Sequence, residues 1–112
     1  MKTKDYLKLL AKAPPQESYD FVQFLKDNNK VVEETPNFLV IENCKYHSKK
    51  FVWHTVFLKN THLPFSQVFQ LLHNFLATRD YWNWEWLKKG TFRQSVKGRF
   101  HIHLYKENGK NN

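Results

Sequence analysis

The chain has 112 residues, of which 18 are Lys or Arg and 10 are Asp or Glu, so its formal net charge is +8 at pH 7. A hydrophobic content of 41% and an aromatic content of 17% exclude a disordered tail and predict a single domain over residues 1–112. The single cysteine, Cys44, excludes an internal disulfide and a thiolate zinc cage. Because the sequence lacks a long apolar run and a signal-peptide pattern, we expect no membrane segment and a cytoplasmic location.

The positive charge is concentrated near the C-terminus. Residues 88–112 hold seven basic residues and one acidic residue, whereas residues 1–87 hold 11 basic and nine acidic residues. A patch of this density attracts phosphate-bearing partners through Coulomb forces. A solvated surface that only keeps the protein soluble would explain the same pattern.

Two short helices are predicted at the N-terminus. Residues 3–12 carry a tyrosine and leucines at helical spacing, and Pro14 and Pro15 end this helix. Residues 17–28 place phenylalanine, valine and leucine on one stripe, which predicts a second helix that packs on a core.

The hydrophobic period then changes to that of strands. Residues 31–32 begin an extended stretch, residues 35–37 form a turn, and residues 38–43 are predicted to be a buried strand. Residues 51–59 are rich in β-branched and aromatic residues and predict another strand. One face of that strand carries Val52, His54, Val56 and Leu58.

The second half of the chain combines one clear helix with two predicted strands. Residues 64–78 have the apolar face and the N-terminal proline of a helix, and residues 82–87 alternate like a strand. Residues 90–98 form a basic loop, residues 99–105 form the last strand, and residues 108–112 are a flexible tail. These elements predict an α+β domain around an antiparallel sheet, with its main helix between strands.

The last strand has the sharpest local pattern. Because side chains alternate between the two faces of a strand, its three apolar residues are expected to enter the core. Its polar residues should face a cavity or solvent, since burying them without partners is unfavourable. A half-exposed strand that merely contains two histidines is the plainer interpretation. The core-facing residues are Phe100, Ile102 and Leu104, and the other face carries Arg99, His101, His103 and Tyr105.

A zinc site is one alternative for these histidines. His101 and His103 would supply two ligands, and His54 or His62 a third. The surroundings are strongly cationic, and the last strand has no Asp or Glu to offset the ion. We therefore expect no metal and no cofactor.

Tryptophans form a second notable pattern. Trp82, Trp84 and Trp86 would share one face of a strand, and Trp53 lies on another strand. Such residues are typical of a core or a dimer interface. Their functional alternative is a stacking platform for nucleic-acid bases.

Three segments of the chain form one further pattern through their sequence and their order: residues 38–43 (FLVIEN), residues 54–59 with His62, and residues 95–104 (SVKGRFHIHL). In these segments the chain resembles the histidine-triad (HIT) superfamily of nucleotide hydrolases and transferases. The resemblance covers residues 31–107. It implies a sheet of about five antiparallel strands, a homodimer, and an adenine or guanine nucleotide as substrate.

The resemblance also implies roles for individual residues. His101 would be the nucleophile that attacks the α-phosphorus of a nucleoside phosphoramidate or a dinucleoside polyphosphate, forming a nucleotidyl-histidine. Its other ring nitrogen would donate to the backbone carbonyl of Arg99, which selects the tautomer. His103 would hold phosphate oxygens, and Ser95 would bind or protonate the leaving group. The residues expected to bind substrate are Arg99, Asn43, His54, Lys59, His62 and Lys97.

The chain departs from the family pattern at the first triad position, where Arg99 replaces a histidine. Arginine supplies the same backbone carbonyl and would add a phosphate contact, but it has no imidazole for a proton network. The alternative function is therefore a catalytically impaired module that binds a nucleotide or RNA through the basic loop and the tryptophans.

Overall fold

The computed structural model describes residues 3–42, 50–86 and 99–107, and these form an α+β fold. The predictions of an α+β class and of an antiparallel sheet are confirmed. None of the helices in the described part of the chain has the length and apolar character needed to cross a membrane. The elements are α1 (Thr3–Ala11), α2 (Tyr19–Asn28), β1 (Lys30–Glu34), β2 (Phe38–Glu42), β3 (Phe51–Leu58), α3 (Phe65–Ala77), β4 (Glu85–Trp86) and β5 (His101–Glu107).

The sheet has the strand order β1-β2-β3-β5-β4, and every neighbouring pair is antiparallel. Four strands have five to eight residues, whereas β4 at the edge has two. In the central pair β3–β5, Phe57 lies opposite His101 and Thr55 lies opposite His103. This register fixes which side chains of the two strands are neighbours.

Helices pack against both faces of the sheet, and each face has its own hydrophobic core. Residues 38–41 are all buried because their side chains alternate between two covered faces. Each apolar side chain buried in this way contributes roughly 1.5–3 kcal/mol. On the α3 face, Val40, Val56, Ile102 and Leu104 pack with Val68, Leu72, Phe75 and Leu76. On the α2 face, Leu39, Ile41 and Phe57 pack with Phe21, Val22 and Leu25.

The strand predicted over residues 82–87 is confirmed only at Glu85–Trp86. Residues Asp80–Asn83 form a 3-10 turn instead, and residue 87 lies outside the described residues. Within the turn, the Asn83 side chain donates to the Asp80 carboxylate (2.9 Å), and the N–H of Trp84 donates to the carbonyl of Tyr81 (3.0 Å). Asp and Asn favour such local hydrogen bonds over a strand ladder. Trp84 is buried in the α3-face core, as a core interpretation predicts.

The last strand begins and ends two residues later than predicted, at His101 and Glu107 instead of residues 99 and 105. Its alternation is confirmed, because Ile102 and Leu104 lie in the α3-face core while His101 stacks on Phe57 on the other face. The predicted flexible tail, residues 108–112, lies outside the described residues.

Candidate functional site

His101 is the first residue of β5 and lies on the α2 face of the sheet. Its Nδ1 is 3.0 Å from the carbonyl oxygen of Arg99. A carbonyl only accepts hydrogen bonds, so Nδ1 carries the proton and, in the neutral ring, Nε2 holds the lone pair. The ring stacks on Phe57 with a centroid distance of 4.9 Å and an interplanar angle of 22°. Together these contacts fix the orientation of the imidazole.

His103 lies on the same face, two residues farther along β5. The centroids of the His101 and His103 rings are 5.2 Å apart, with an interplanar angle of 76°. Nδ1 of His103 is 2.8 Å from the hydroxyl oxygen of Thr55, which is fully buried. Sequence reasoning did not identify Thr55. The signal was available, since Thr55 is the polar residue that alternates with Val56 on β3.

The prediction that the polar residues of the last strand face a cavity or solvent holds for Arg99, which lines a cleft, but not for His101, which is buried. Arg99 and His101 are each only 2% exposed, whereas His103 is half-buried. Burial to this degree was not predicted because partners inside the protein were not foreseen. The Arg99 guanidinium instead donates to four main-chain carbonyl oxygens. Burial lowers the pKa of this guanidinium, and Glu17 opposes that shift.

An open cleft of ≈ 380 Å³ adjoins the end of β3. It is lined in part by three residues that were predicted to bind substrate, Lys59, His62 and Arg99. The Lys59 ammonium is already engaged, because it donates to the Glu34 carboxylate (2.6 Å) and to the carbonyl of Thr35 (3.0 Å). The Lys59 and Arg99 cations that line the cleft are therefore both paired, and the acidic residue Glu17 lines the cleft beside them.

His54 does not join this site, contrary to its predicted role in substrate binding. It lies on the α3 face, where its Nδ1 is 2.9 Å from the hydroxyl oxygen of Tyr81 and its ring is 4.7 Å from the Trp84 ring. Burial lowers the pKa of His54 and raises the pKa of Tyr81 to about 12. The sequence pattern had already placed His54 with Val56 on one face, and that face is the apolar one.

Three further residues of the predicted site, Asn43, Ser95 and Lys97, lie outside the described residues.

The histidines proposed as ligands in the zinc alternative do not lie together as a set of three. His54 is on the opposite face from the other two histidines. In the described ranges, no group of three or more His, Cys, Asp or Glu side chains is arranged to hold a metal ion.

Comparisons with known proteins do not assign this chain to a family: no protein-family model, curated protein or solved structure matches it.

Proposed function

We propose that the protein is a HIT-like nucleotide hydrolase or phosphoramidase, in which His101 forms a covalent bond to the α-phosphorus of its substrate. One observation carries this proposal: the hydrogen bond from Nδ1 of His101 to the Arg99 carbonyl, which leaves the lone pair on Nε2. An imidazole attacks phosphorus through an unprotonated nitrogen, so the tautomer is the one that the reaction needs.

The reaction has two displacement steps at phosphorus. In the first, the Nε2 lone pair of His101 forms a bond to the α-phosphorus, and the bond to the leaving nitrogen or oxygen breaks. The leaving group takes that electron pair and is protonated. In the second, a water oxygen attacks the same phosphorus and loses a proton, the P–N bond breaks, and Nε2 regains its lone pair. The products are a nucleoside monophosphate and the protonated leaving group, and the free enzyme is regenerated.

The neighbours of His101 have defined parts in these steps. The ring becomes positively charged when Nε2 is bonded to phosphorus, and the Arg99 carbonyl, which accepts from Nδ1, stabilises that charge. The His103 ring, whose centroid is 5.2 Å from that of His101, is close enough to contact oxygens of the same phosphate group. Because His101 is 2% exposed, a phosphate reaches Nε2 only when neighbouring groups move aside.

A turnover assay tests this proposal. Adenosine 5′-phosphoramidate and a diadenosine polyphosphate are incubated with the protein, and release of adenosine nucleotide is followed by chromatography. We expect turnover by the unmodified protein and none above background by His101→Asn, which keeps a polar side chain but loses Nε2. His73→Asn, at an exposed position on α3, is the control and should retain activity. Undiminished turnover by His101→Asn would contradict the proposal.

A second function is favoured by a different observation, namely that both Arg99 and His101 are almost fully buried. In this alternative the protein binds a nucleotide or RNA without turnover, and His101 has only a structural role. The net charge of +8 supplies attraction to phosphates. Binding measured by tryptophan fluorescence would then survive His101→Asn, weaken steeply with rising salt, and be accompanied by no hydrolysis.

A further inference from the structure

The Arg99 side chain joins two parts of the chain that are distant in sequence. Nε donates to the carbonyl of Gln16 (2.9 Å), and Nη2 donates to the carbonyl of Ser18 (2.7 Å). Nη1 donates to the carbonyls of Leu58 and Lys59, both at 2.8 Å. The connection between α1 and α2 is thereby fastened to the end of β3.

These hydrogen bonds account for how a buried cation is tolerated. A guanidinium with 2% exposure needs partners for its donors, because an unsatisfied buried charge is strongly unfavourable. Within the described ranges, the ion pairs are formed by other residues, and Arg99 uses main-chain carbonyls. The planar fork of arginine matches this set of diverging acceptors, and lysine cannot reproduce it.

The backbone of Arg99 performs a second task, since its carbonyl accepts the hydrogen bond from Nδ1 of His101. Residue 99 precedes β5, whose first residue is His101, so its peptide group is not held inside a regular strand. The next carbonyl, that of Phe100, is fixed by the N–H of Leu58 (3.0 Å). Among the described residues, the contacts that hold residue 99 to distant segments are those of its guanidinium.

We propose that Arg99 is a positioning residue, whose buried guanidinium holds its own carbonyl in the orientation that selects the His101 tautomer. The contact of residues 16–18 with the end of β3 is thereby coupled to the tautomer of the His101 imidazole. The catalytic consequence rests on the proposed function, whereas the tautomer can be measured without it.

Nitrogen-15 NMR of the His101 ring tests this coupling at a pH where the imidazole is neutral. In the unmodified protein we expect Nδ1 to be protonated. In Arg99→Met the two tautomers should both be populated, and Arg99→Lys should fall between these cases. The matched control is Arg79→Met, because Arg79 also donates to a carbonyl and lies over a phenylalanine ring, 3.8 Å from the centroid of Phe75. It should leave the His101 tautomer unchanged.

A measurement on the unmodified protein applies even if the Arg99 variants do not fold. The Arg99 Nε proton and the His101 Nδ1 proton should have the same protection factor, which is the slowing of solvent exchange relative to the free side chain, because one local opening releases both. A folded Arg99→Met protein that keeps only the Nδ1-protonated ring would overturn the inference. So would a protection factor of the Nε proton at least tenfold lower than that of the Nδ1 proton. An Arg99-dependent tautomer in a protein without turnover would support the coupling and contradict only the proposed hydrolase activity.

Discussion

The hydroxyl oxygen of Thr55 lies 2.8 Å from Nδ1 of His103, across the pairing of β3 with β5. Thr55 is fully buried, so its hydroxyl is directed by the sheet and not by solvent. The contact holds the second imidazole of the site in place beside His101.

Thr55→Val removes this hydroxyl while keeping the shape of the side chain. A typical hydrogen bond contributes about 1 kcal/mol, so we expect turnover to fall by roughly fivefold in kcat/KM. Thr78→Val is the control, because the Thr78 hydroxyl donates to the carbonyls of Asn74 and Phe75 at the end of α3, on another part of the fold. Steady-state kinetics that are equal for the two variants would refute a role for Thr55 in orienting His103.

His54 gives the protein a pH-dependent stability. Burial lowers the pKa of its imidazole below the usual 6.5; Lys106 and Lys30 lower it further, and Glu42 opposes them. As pH falls below about 6.5, the unfolded chain binds a proton at this position before the folded protein does. The free energy of unfolding should therefore decrease with falling pH.

His54→Gln should flatten this dependence, as measured by urea unfolding between pH 7.5 and roughly 5. The matched control is His73→Gln, which changes an exposed histidine on α3 and should keep the slope of the unmodified protein. Identical slopes for His54→Gln and His73→Gln would show that His54 does not titrate differently in the two states.

Arg79 and Glu33 tie the end of α3 to β1. Nε of Arg79 donates to the Glu33 carboxylate (2.7 Å), and a second bond from Nη2 makes the pair bidentate. The hydrogen bonds from Arg79 lower the pKa of Glu33. Because both side chains are partly exposed, we expect Glu33→Gln to reduce the free energy of unfolding by about 0.5–1 kcal/mol at pH 7.

The lowered pKa of Glu33 also sets the pH range in which its pair with Arg79 stabilises the protein. Stability from a carboxylate with a lowered pKa is present above its unfolded value of 4.5 and is lost as pH falls through the folded value. The difference between the unmodified protein and Glu33→Gln should thus shrink below pH 4.5. Glu42→Gln, which breaks the looser pair with Lys30 (3.6 Å), should have a smaller effect at pH 7. Calorimetry that ranks the two variants in the reverse order would contradict this account.

Local patterns predicted the parts of the fold that depend on one segment. The predictions for the apolar positions of α3 and for the alternation of Ile102 and Leu104 were correct, because helical and strand periodicity can be recognised from neighbouring residues alone. The prediction failed at residues 82–83, where the side-chain hydrogen bond between Asp80 and Asn83 outweighed an alternating pattern.

The site depends more on contacts between distant segments, which no local pattern contains. The carbonyl partners of Arg99 in the α1–α2 connection are 81 and 83 residues away in the chain, so its burial was not predictable from the last strand. The pairing of Thr55 with His103 requires the β3–β5 register. The orientation of the His101 ring toward the residue 99 carbonyl was an expectation of the family resemblance, and the observed distance of 3.0 Å agrees with it.

Trapping the bond between His101 and the nucleotide is the decisive experiment for the proposed hydrolase. The protein is incubated with adenosine 5′-phosphoramidate, quenched without acid, digested and examined by mass spectrometry. We expect a peptide that contains His101 and carries one adenylyl group, and no such peptide from His101→Asn. Efficient turnover with adenylate on no histidine, or on His103 alone, would exclude His101 as the nucleophile.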